Sequence, residues 1–208
     1  MSTTYLAALT AVAAMIVGMV LYLLPIVRQS KEKAPVLATW ILFAVASSLS
    51  LWTYLHSKNH SVAANVGNAV DPLASWSAVF ILAYYSWRRW RRVVFEFNRV
   101  QIGCLIAVGL ILIYWFWTSN EMYANLAVQV IIVVGYVLTI RKLRPAPRNT
   151  EPIGAWVAIW LGSLISLIPA WASPNILPKV YAIRAIICIF VLFVFMIRAE
   201  LRGRKPTY

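Results

Sequence analysis

Two ionisable side chains lie inside stretches of sequence that are otherwise apolar enough to cross a membrane. Asp71 stands at the start of one stretch, in NAVDPLASW, and Arg184 lies within another, in PKVYAIRAI. Charged groups are costly inside a bilayer and commonly mark a functional site there, so we expect these two to hold a polar substrate or to form an outer gate. A structural role for each stays open: Asp71 as the N-cap of a helix that Pro72 begins, and Arg184 as a side chain that reaches the outer headgroups.

Two amides and two prolines add to the candidates. Asn125 and Gln129 lie one helical turn apart, and because a buried amide needs a hydrogen-bond partner, either a neighbouring helix or a bound substrate could supply one. Pro25 and Pro169 each remove a backbone hydrogen bond from an apolar stretch. They are candidate hinges, and static kinks are the alternative interpretation.

Enzymatic chemistry has little support in the sequence. His56 and His60 are spaced like a pair of metal ligands, but only the distant Asp71 or Glu121 could add a third ligand, and a zinc site needs more. The chain has no His-Glu-x-x-His, Gly-x-Ser-x-Gly or phosphate-binding loop motif. We expect no enzyme activity, no cofactor and no metal, with a membrane enzyme that uses His56, His60 and Asp71 as the third-ranked alternative.

The elements that position these residues follow from composition. The chain has 208 residues, of which 62% are hydrophobic and only 12% charged, whereas a soluble domain carries about 25% charged residues. Runs such as Ile131 to Leu138 are apolar on every face, which excludes the alternation of a membrane β-barrel. The sequence predicts an all-α integral membrane protein with seven transmembrane helices, each long enough to cross about 30 Å of hydrocarbon. They cover 5–27, 36–56, 72–87, 100–117, 122–140, 153–172 and 180–197.

The basic residues predict how these helices are oriented. Of the 19 Lys and Arg residues, 16 fall in four clusters on one side of the membrane: Arg28, Lys31 and Lys33; Arg88, Arg89, Arg91, Arg92 and Arg99; Arg141, Lys142, Arg144 and Arg148; Arg198, Arg202, Arg204 and Lys205. Only Lys58 and Lys179 lie opposite. The positive-inside rule then places the N-terminus outside and the C-terminus in the cytoplasm. The net charge of +13 is explained by topology and by contacts to anionic headgroups, and we expect no nucleic-acid partner.

Two pairs of similar segments in the sequence predict an internal repeat. YLLPIVRQ at 22–29 resembles YVLTIRKL at 136–143, and WILFAVASSLSL at 40–51 resembles WVAIWLGSLISL at 156–167. Identical pairs are Tyr22/Tyr136, Leu24/Leu138, Ile26/Ile140, Trp40/Trp156, Ser47/Ser163, Ser50/Ser166 and Leu51/Leu167. Shared membrane-helix composition is the alternative explanation. Helices 1–3 and 5–7 run in the same directions, as in transporters with parallel repeats. We predict one domain, 1–208, with two parallel three-helix units, 1–92 and 121–208, joined by helix 4 within 93–120.

With seven predicted helices, arranged as two parallel three-helix units joined by helix 4, the chain resembles the SWEET and PQ-loop superfamily. This superfamily includes bacterial half-size sugar transporters, vitamin transporters of the PnuC type and the KDEL receptor. Pro25 stands where the family has a Pro-Gln pair, but Ile26 follows it, and Thr139 replaces the proline in the second copy. The resemblance implies that helices 3 and 7 face each other across a central pathway, and that Trp52 and Trp171 line a pocket. An interfacial aromatic belt is the alternative role for both tryptophans.

These observations lead to two functional hypotheses. The first is a small-molecule transporter or facilitator that works by alternating access in a bacterial cytoplasmic membrane. The second is a non-transporting receptor, partner-binding or assembly module, and a homo-oligomer or a protein partner is compatible with both.

Overall fold

The computed structural model describes residues 3–27, 37–90 and 97–203, without the side chains at positions 26, 27, 86, 89 and 90. Several of the basic residues that predict the topology lie outside the described residues: Arg28, Lys31, Lys33, Arg91, Arg92, Arg204 and Lys205.

The described residues form seven helices, and no strand occurs among them. The helices are α1 (Thr3–Val27), α2 (Leu37–His56), α3 (Val66–Trp90), α4 (Arg99–Thr118), α5 (Glu121–Leu143), α6 (Ile153–Trp171) and α7 (Leu177–Gly203). All seven are long and apolar enough to cross a membrane. The prediction of a multi-pass, all-α membrane protein is therefore confirmed.

The predicted start of α3 is wrong, and so is the cap that depended on it. The helix begins at Val66 rather than at 72, so Pro72 lies inside it. Asp71 therefore lies inside the helix and does not cap its first turn. Pro72 is the seventh residue of the helix, so its missing N–H group removes one backbone hydrogen bond, to the carbonyl oxygen of Asn68.

The helices pack in a pattern that repeats along the chain. In the first half, α3 contacts both α1 and α2, and in the second half, α7 contacts both α5 and α6. Between the halves, α1 packs against α6, α5 packs against α2, and α3 meets α7. The remaining helix, α4, contacts α2 and α5 and lies at the periphery of the bundle.

The contact of α1 with α6 brings the backbones of the two halves close together. A Cβ atom added to Gly18 would lie 2.6 Å from Cγ1 of Ile159 and 2.9 Å from the carbonyl oxygen of Ala155. A Cβ atom added to Gly162 would lie 2.8 Å from Cγ of Met15. Small residues permit such close packing where apolar burial does not drive association, as between membrane helices.

We predict that Gly18→Ala destabilises the protein although alanine favours helices. The added methyl group must displace backbone as well as side-chain atoms, which costs about 1–3 kcal/mol. Gly109→Ala on α4 is the matched control, because no atom lies within 4 Å of its Cβ position. The melting temperature of each variant is measured by thermal unfolding in detergent. Equal melting temperatures for the two variants would contradict the close α1–α6 packing.

Candidate functional site

The two predicted charged residues meet through a tyrosine between α3 and α7. The hydroxyl group of Tyr181 donates a hydrogen bond to Oδ2 of Asp71, and the guanidinium carbon of Arg184 lies 4.7 Å from the centroid of the Tyr181 ring. Asp71 is also close enough to Arg184 for their charges to interact. The structure thus brings these side chains together inside the bundle.

Arg184 is buried inside the bundle. Its side chain is only 8% exposed, and it lies about 10 Å from the start of α7 at a rise of 1.5 Å per residue. Neither Nε nor Nη1 has a hydrogen-bond partner among the described residues. This burial favours a role inside the bundle over the alternative in which Arg184 reaches the outer headgroups.

A small cavity borders the carboxylate of this cluster. It has a volume of about 60 Å³, and its wall combines Asp71 with Ser47, Ser75 and the thioether side chains of Met15 and Met19. The cavity is mostly apolar with a few polar groups in its wall, and it is far smaller than the pockets that hold drug-sized ligands. We call it the central cavity.

Five aromatic side chains form a closed circuit of contacts at one side of the central cavity. We call it the aromatic collar; its members are Tyr22 of α1, Trp40 and Phe43 of α2, Tyr136 of α5, and Trp156 of α6. Each ring contacts the next, with centroids 5.0 to 6.1 Å apart, and the last contacts the first. The planes are tilted or perpendicular, an arrangement that aromatic pairs favour.

A larger cavity lies on the other side of the collar. Its volume is about 450 Å³, and its wall shares Trp40, Phe43 and Trp156 with the central cavity. Arg141 and Lys142 also line it and are exposed, so the cavity opens at the end of the bundle where the basic residues lie. We call it the vestibule. The collar therefore stands between the vestibule and the central cavity.

A buried carboxylate lies where the vestibule meets the collar. Glu151 is 7% exposed, and its Oε2 accepts hydrogen bonds from the Tyr22 hydroxyl group at 3.1 Å and from Nε1 of Trp156 at 3.3 Å. The side chain of Asn149 bonds the backbone N–H and carbonyl groups of Glu151. This turn holds the carboxylate against two members of the collar.

Sequence reasoning did not select Glu151 or the collar as site residues. Glu151 stands in PRNTEPIG, a polar segment typical of a loop, and the collar residues look like ordinary membrane aromatics. A signal was nevertheless present. Tyr22/Tyr136 and Trp40/Trp156 are identical pairs of the predicted repeat, and all four side chains belong to the collar.

The predicted amides have their partners on a neighbouring helix. Nδ2 of Asn125 donates to the carbonyl oxygen of Ser50 at 2.7 Å and to the hydroxyl group of Thr53 at 3.0 Å. Nε2 of Gln129 donates to the Ser50 hydroxyl group at 2.7 Å. Of the two interpretations left open, the structure supports the helix partner, because these bonds join α5 to α2.

The two predicted tryptophans lie on the outside of the bundle. Trp52 is 54% exposed and Trp171 is 65% exposed, and neither lines the central cavity or the vestibule. Trp52 packs on His56 with centroids 5.0 Å apart, while the Trp171 ring lies 5.7 Å from Nζ of Lys179. These positions are typical of an interfacial aromatic belt.

The remaining candidates stay close to helix ends. Pro25 and Pro169 lie in the last turns of α1 and α6, and their role as hinges stays a prediction.

The two histidines lie near backbone carbonyl groups. Nδ1 of His56 lies 2.9 Å from the carbonyl oxygen of Trp52, and Nδ1 of His60 lies 3.1 Å from that of Ser57. Within the described ranges, no group of three or more His, Cys, Asp or Glu side chains could hold a metal ion.

Comparison of the chain with protein-family models, with curated proteins and with solved structures finds no match.

We predict that Asp71 and Arg184 are energetically coupled. Asp71→Ala should lower the free energy of unfolding by about 3 kcal/mol, because it leaves a buried guanidinium group without its counter-charge. The double variant Asp71→Ala/Arg184→Met should recover part of this loss. Denaturation of the two single variants and the double variant completes the cycle, and strictly additive losses would contradict the coupling.

Proposed function

We propose that this protein is a small-molecule transporter or facilitator that works by alternating access around the central cavity. One arrangement carries the proposal: the vestibule and the smaller central cavity, whose mostly apolar wall includes Asp71, Ser47 and Ser75, share a wall of aromatic side chains. Alternating access requires a constriction beside the central site, because the site must be closed to one side of the membrane while it is open to the other.

Helix packing supports two equivalent three-helix units. Exchanging α1, α2 and α3 for α5, α6 and α7 converts the contacts α1–α3, α2–α3 and α1–α6 into α5–α7, α6–α7 and α5–α2, all of which occur. The collar follows the same exchange, because its members include the repeat pairs Tyr22/Tyr136 and Trp40/Trp156.

Burial supports the equivalence of α3 and α7. Positions 75, 78, 79 and 82 of α3 are buried, and so are positions 185, 188, 189 and 192 of α7. These sets differ by the same 110 positions that separate Asp71 from Tyr181. The hydrogen bond between Asp71 and Tyr181 thus joins equivalent positions of the two units, which would place it close to an axis between them.

The basic residues indicate which end of the proposed pathway faces the cytoplasm. With 16 of the 19 Lys and Arg residues on one side, the positive-inside rule assigns that side to the cytoplasm and the N-terminus to the outside. The vestibule would then open to the cytoplasm, and the Asp71–Tyr181 contact would lie towards the outer face. The resemblance to the SWEET and PQ-loop superfamily and the location in a bacterial cytoplasmic membrane belong to the same proposal.

In the proposed transport cycle each part of the site has a role. In this structure the collar separates the vestibule, proposed to be cytoplasmic, from the central cavity, and separation of its aromatic side chains would give the inward-open state. In the outward-open state the Asp71–Tyr181 bond breaks, and Asp71 and the unpartnered N–H groups of Arg184 become available to substrate. The amide network of Asn125 and Gln129 with Ser50 holds α5 on α2 while the units move.

We predict that a cysteine at position 47 reacts with a membrane-impermeant methanethiosulfonate added on either side of proteoliposomes. Ser47 lines the central cavity, and alternating access opens that cavity to each side in turn. The background replaces Cys104 and Cys188, which are free and buried. Mass spectrometry of the labelled protein measures the reaction.

Ser77→Cys is the matched control, because position 77 is exposed on the outside of α3, where lipid excludes a charged reagent. Reaction at position 47 from one side only, or from neither, would contradict alternating access. Flux of a panel of sugars, vitamins and amino acids into the same vesicles, lost in Arg184→Ala at equal expression, is the direct measure of transport.

A further inference from the structure

We propose that the vestibule binds an organic ammonium group, either a protonated amine or a quaternary ammonium, between Glu151 and the aromatic collar. The inference names a substrate class for the same pathway, and as a statement about transported substrate it rests on the proposed function. As a statement about binding it stands on the geometry of Glu151 and the collar.

Glu151 is a buried carboxylate whose hydrogen-bond partners are neutral. Both bonds to Oε2 come from collar side chains, the hydroxyl group of Tyr22 and the indole N–H of Trp156. Within the part of the chain that the structure describes, neither Arg141 nor Lys142, the two basic residues that line the vestibule, forms an ion pair with Glu151. Burying an unpaired charge is costly, so the missing positive charge is what a ligand in the vestibule would supply.

The walls around Glu151 suit a cation that carries apolar groups. Trp40, Phe43 and Trp156 border the vestibule together with Tyr22, and the faces of such rings attract ammonium groups, most strongly when water is excluded. A hydrated inorganic cation gains less from aromatic walls than an ammonium group with carbon substituents does. A volume of about 450 Å³ lies within the range of small-molecule sites.

Two basic residues at the mouth of the vestibule do not remove its preference for an organic cation. Arg141 and Lys142 are exposed, so water and salt screen their charges over about 10 Å, whereas Glu151 is buried. Beyond the collar, Asp71 lines the central cavity, but its charge is compensated by Arg184. The ammonium site is therefore assigned to the vestibule alone.

The test uses two isosteric pairs that differ in charge. Calorimetric titration of the purified full-length protein compares choline with 3,3-dimethylbutan-1-ol, and 2-phenylethylamine with 2-phenylethanol. We expect the cation of at least one pair to bind at least 10-fold more tightly than its neutral isostere. The acids 3,3-dimethylbutyrate and 3-phenylpropionate should bind more weakly than the cations. Equal or tighter binding of the neutral or acidic compounds would overturn the inference without any variant.

A variant then locates the site. Glu151→Gln removes the charge but keeps an oxygen that can accept the bonds from Tyr22 and Trp156, and its melting temperature reports whether it folds. The preference for the cation should fall at least 10-fold in this variant. Glu121→Gln, in the first turn of α5 at the opposite end of the bundle, is the control and should keep the preference. A folded Glu151→Gln protein with an unchanged preference would overturn the inference.

The outcomes separate binding from transport. Cation binding that depends on Glu151, without flux into vesicles, would refute the proposed transport and leave the ammonium site standing. Flux of a neutral or acidic compound, with no binding preference for the cations, would support transport and overturn the ammonium site.

Discussion

Hydrocarbon offers a polar side chain no hydrogen bond, so the helices of this protein have to supply partners for one another. Gln101 of α4 donates to Thr39 of α2 at 3.0 Å, the amides of α5 bond to Ser50 of α2, and Tyr181 of α7 bonds to Asp71 of α3. Each bond forms only when the two helices have the correct rotation and depth, because a displaced partner leaves a buried polar group unpaired at a cost of about 1–3 kcal/mol. Polar pairs thus fix which faces of the apolar helices meet.

Some buried polar groups are exceptions to this rule. Nε and Nη1 of Arg184 and Oε1 of Gln129 are buried and have no partner among the described residues. The same holds for both amide atoms of Asn65 and Asn68, for the hydroxyl group of Thr150 and for Nε1 of Trp160. Unpaired buried groups are rare in native structures. Those of Asn68 and Arg184 lie on α3 and α7, the two helices that the Asp71–Tyr181 bond joins.

Much of the fold could be predicted from sequence because a membrane span has a minimum length and few charges, and the seven helices follow from those two conditions. The error at α3 arose because Asp71 and Pro72 look locally like the start of a helix, whereas Val66 packs against Ala8 and Ala11 of α1, a long-range contact that the local sequence does not reveal. Asp71 and Arg184 were found because a charge stands out in an apolar run. Trp40 and Trp156 were missed as site residues because the direction of a tryptophan depends on its neighbours, and Trp52 and Trp171 were selected although they lie outside the bundle.

The hydrogen bond between α3 and α7 has a donor on one helix and an acceptor on the other, and this difference bears on the proposed pair of three-helix units. Two copies of the proposed first unit, paired symmetrically, would place two copies of Asp71 side by side, and adjacent buried carboxylates repel unless one of them takes a proton. Two copies of the proposed second unit would place two tyrosine hydroxyl groups there, with two copies of Arg184 and no acid. Only one copy of each unit would supply both a hydrogen-bond donor and a counter-charge. In the proposed arrangement, linkage through α4 keeps these two unlike units in one chain.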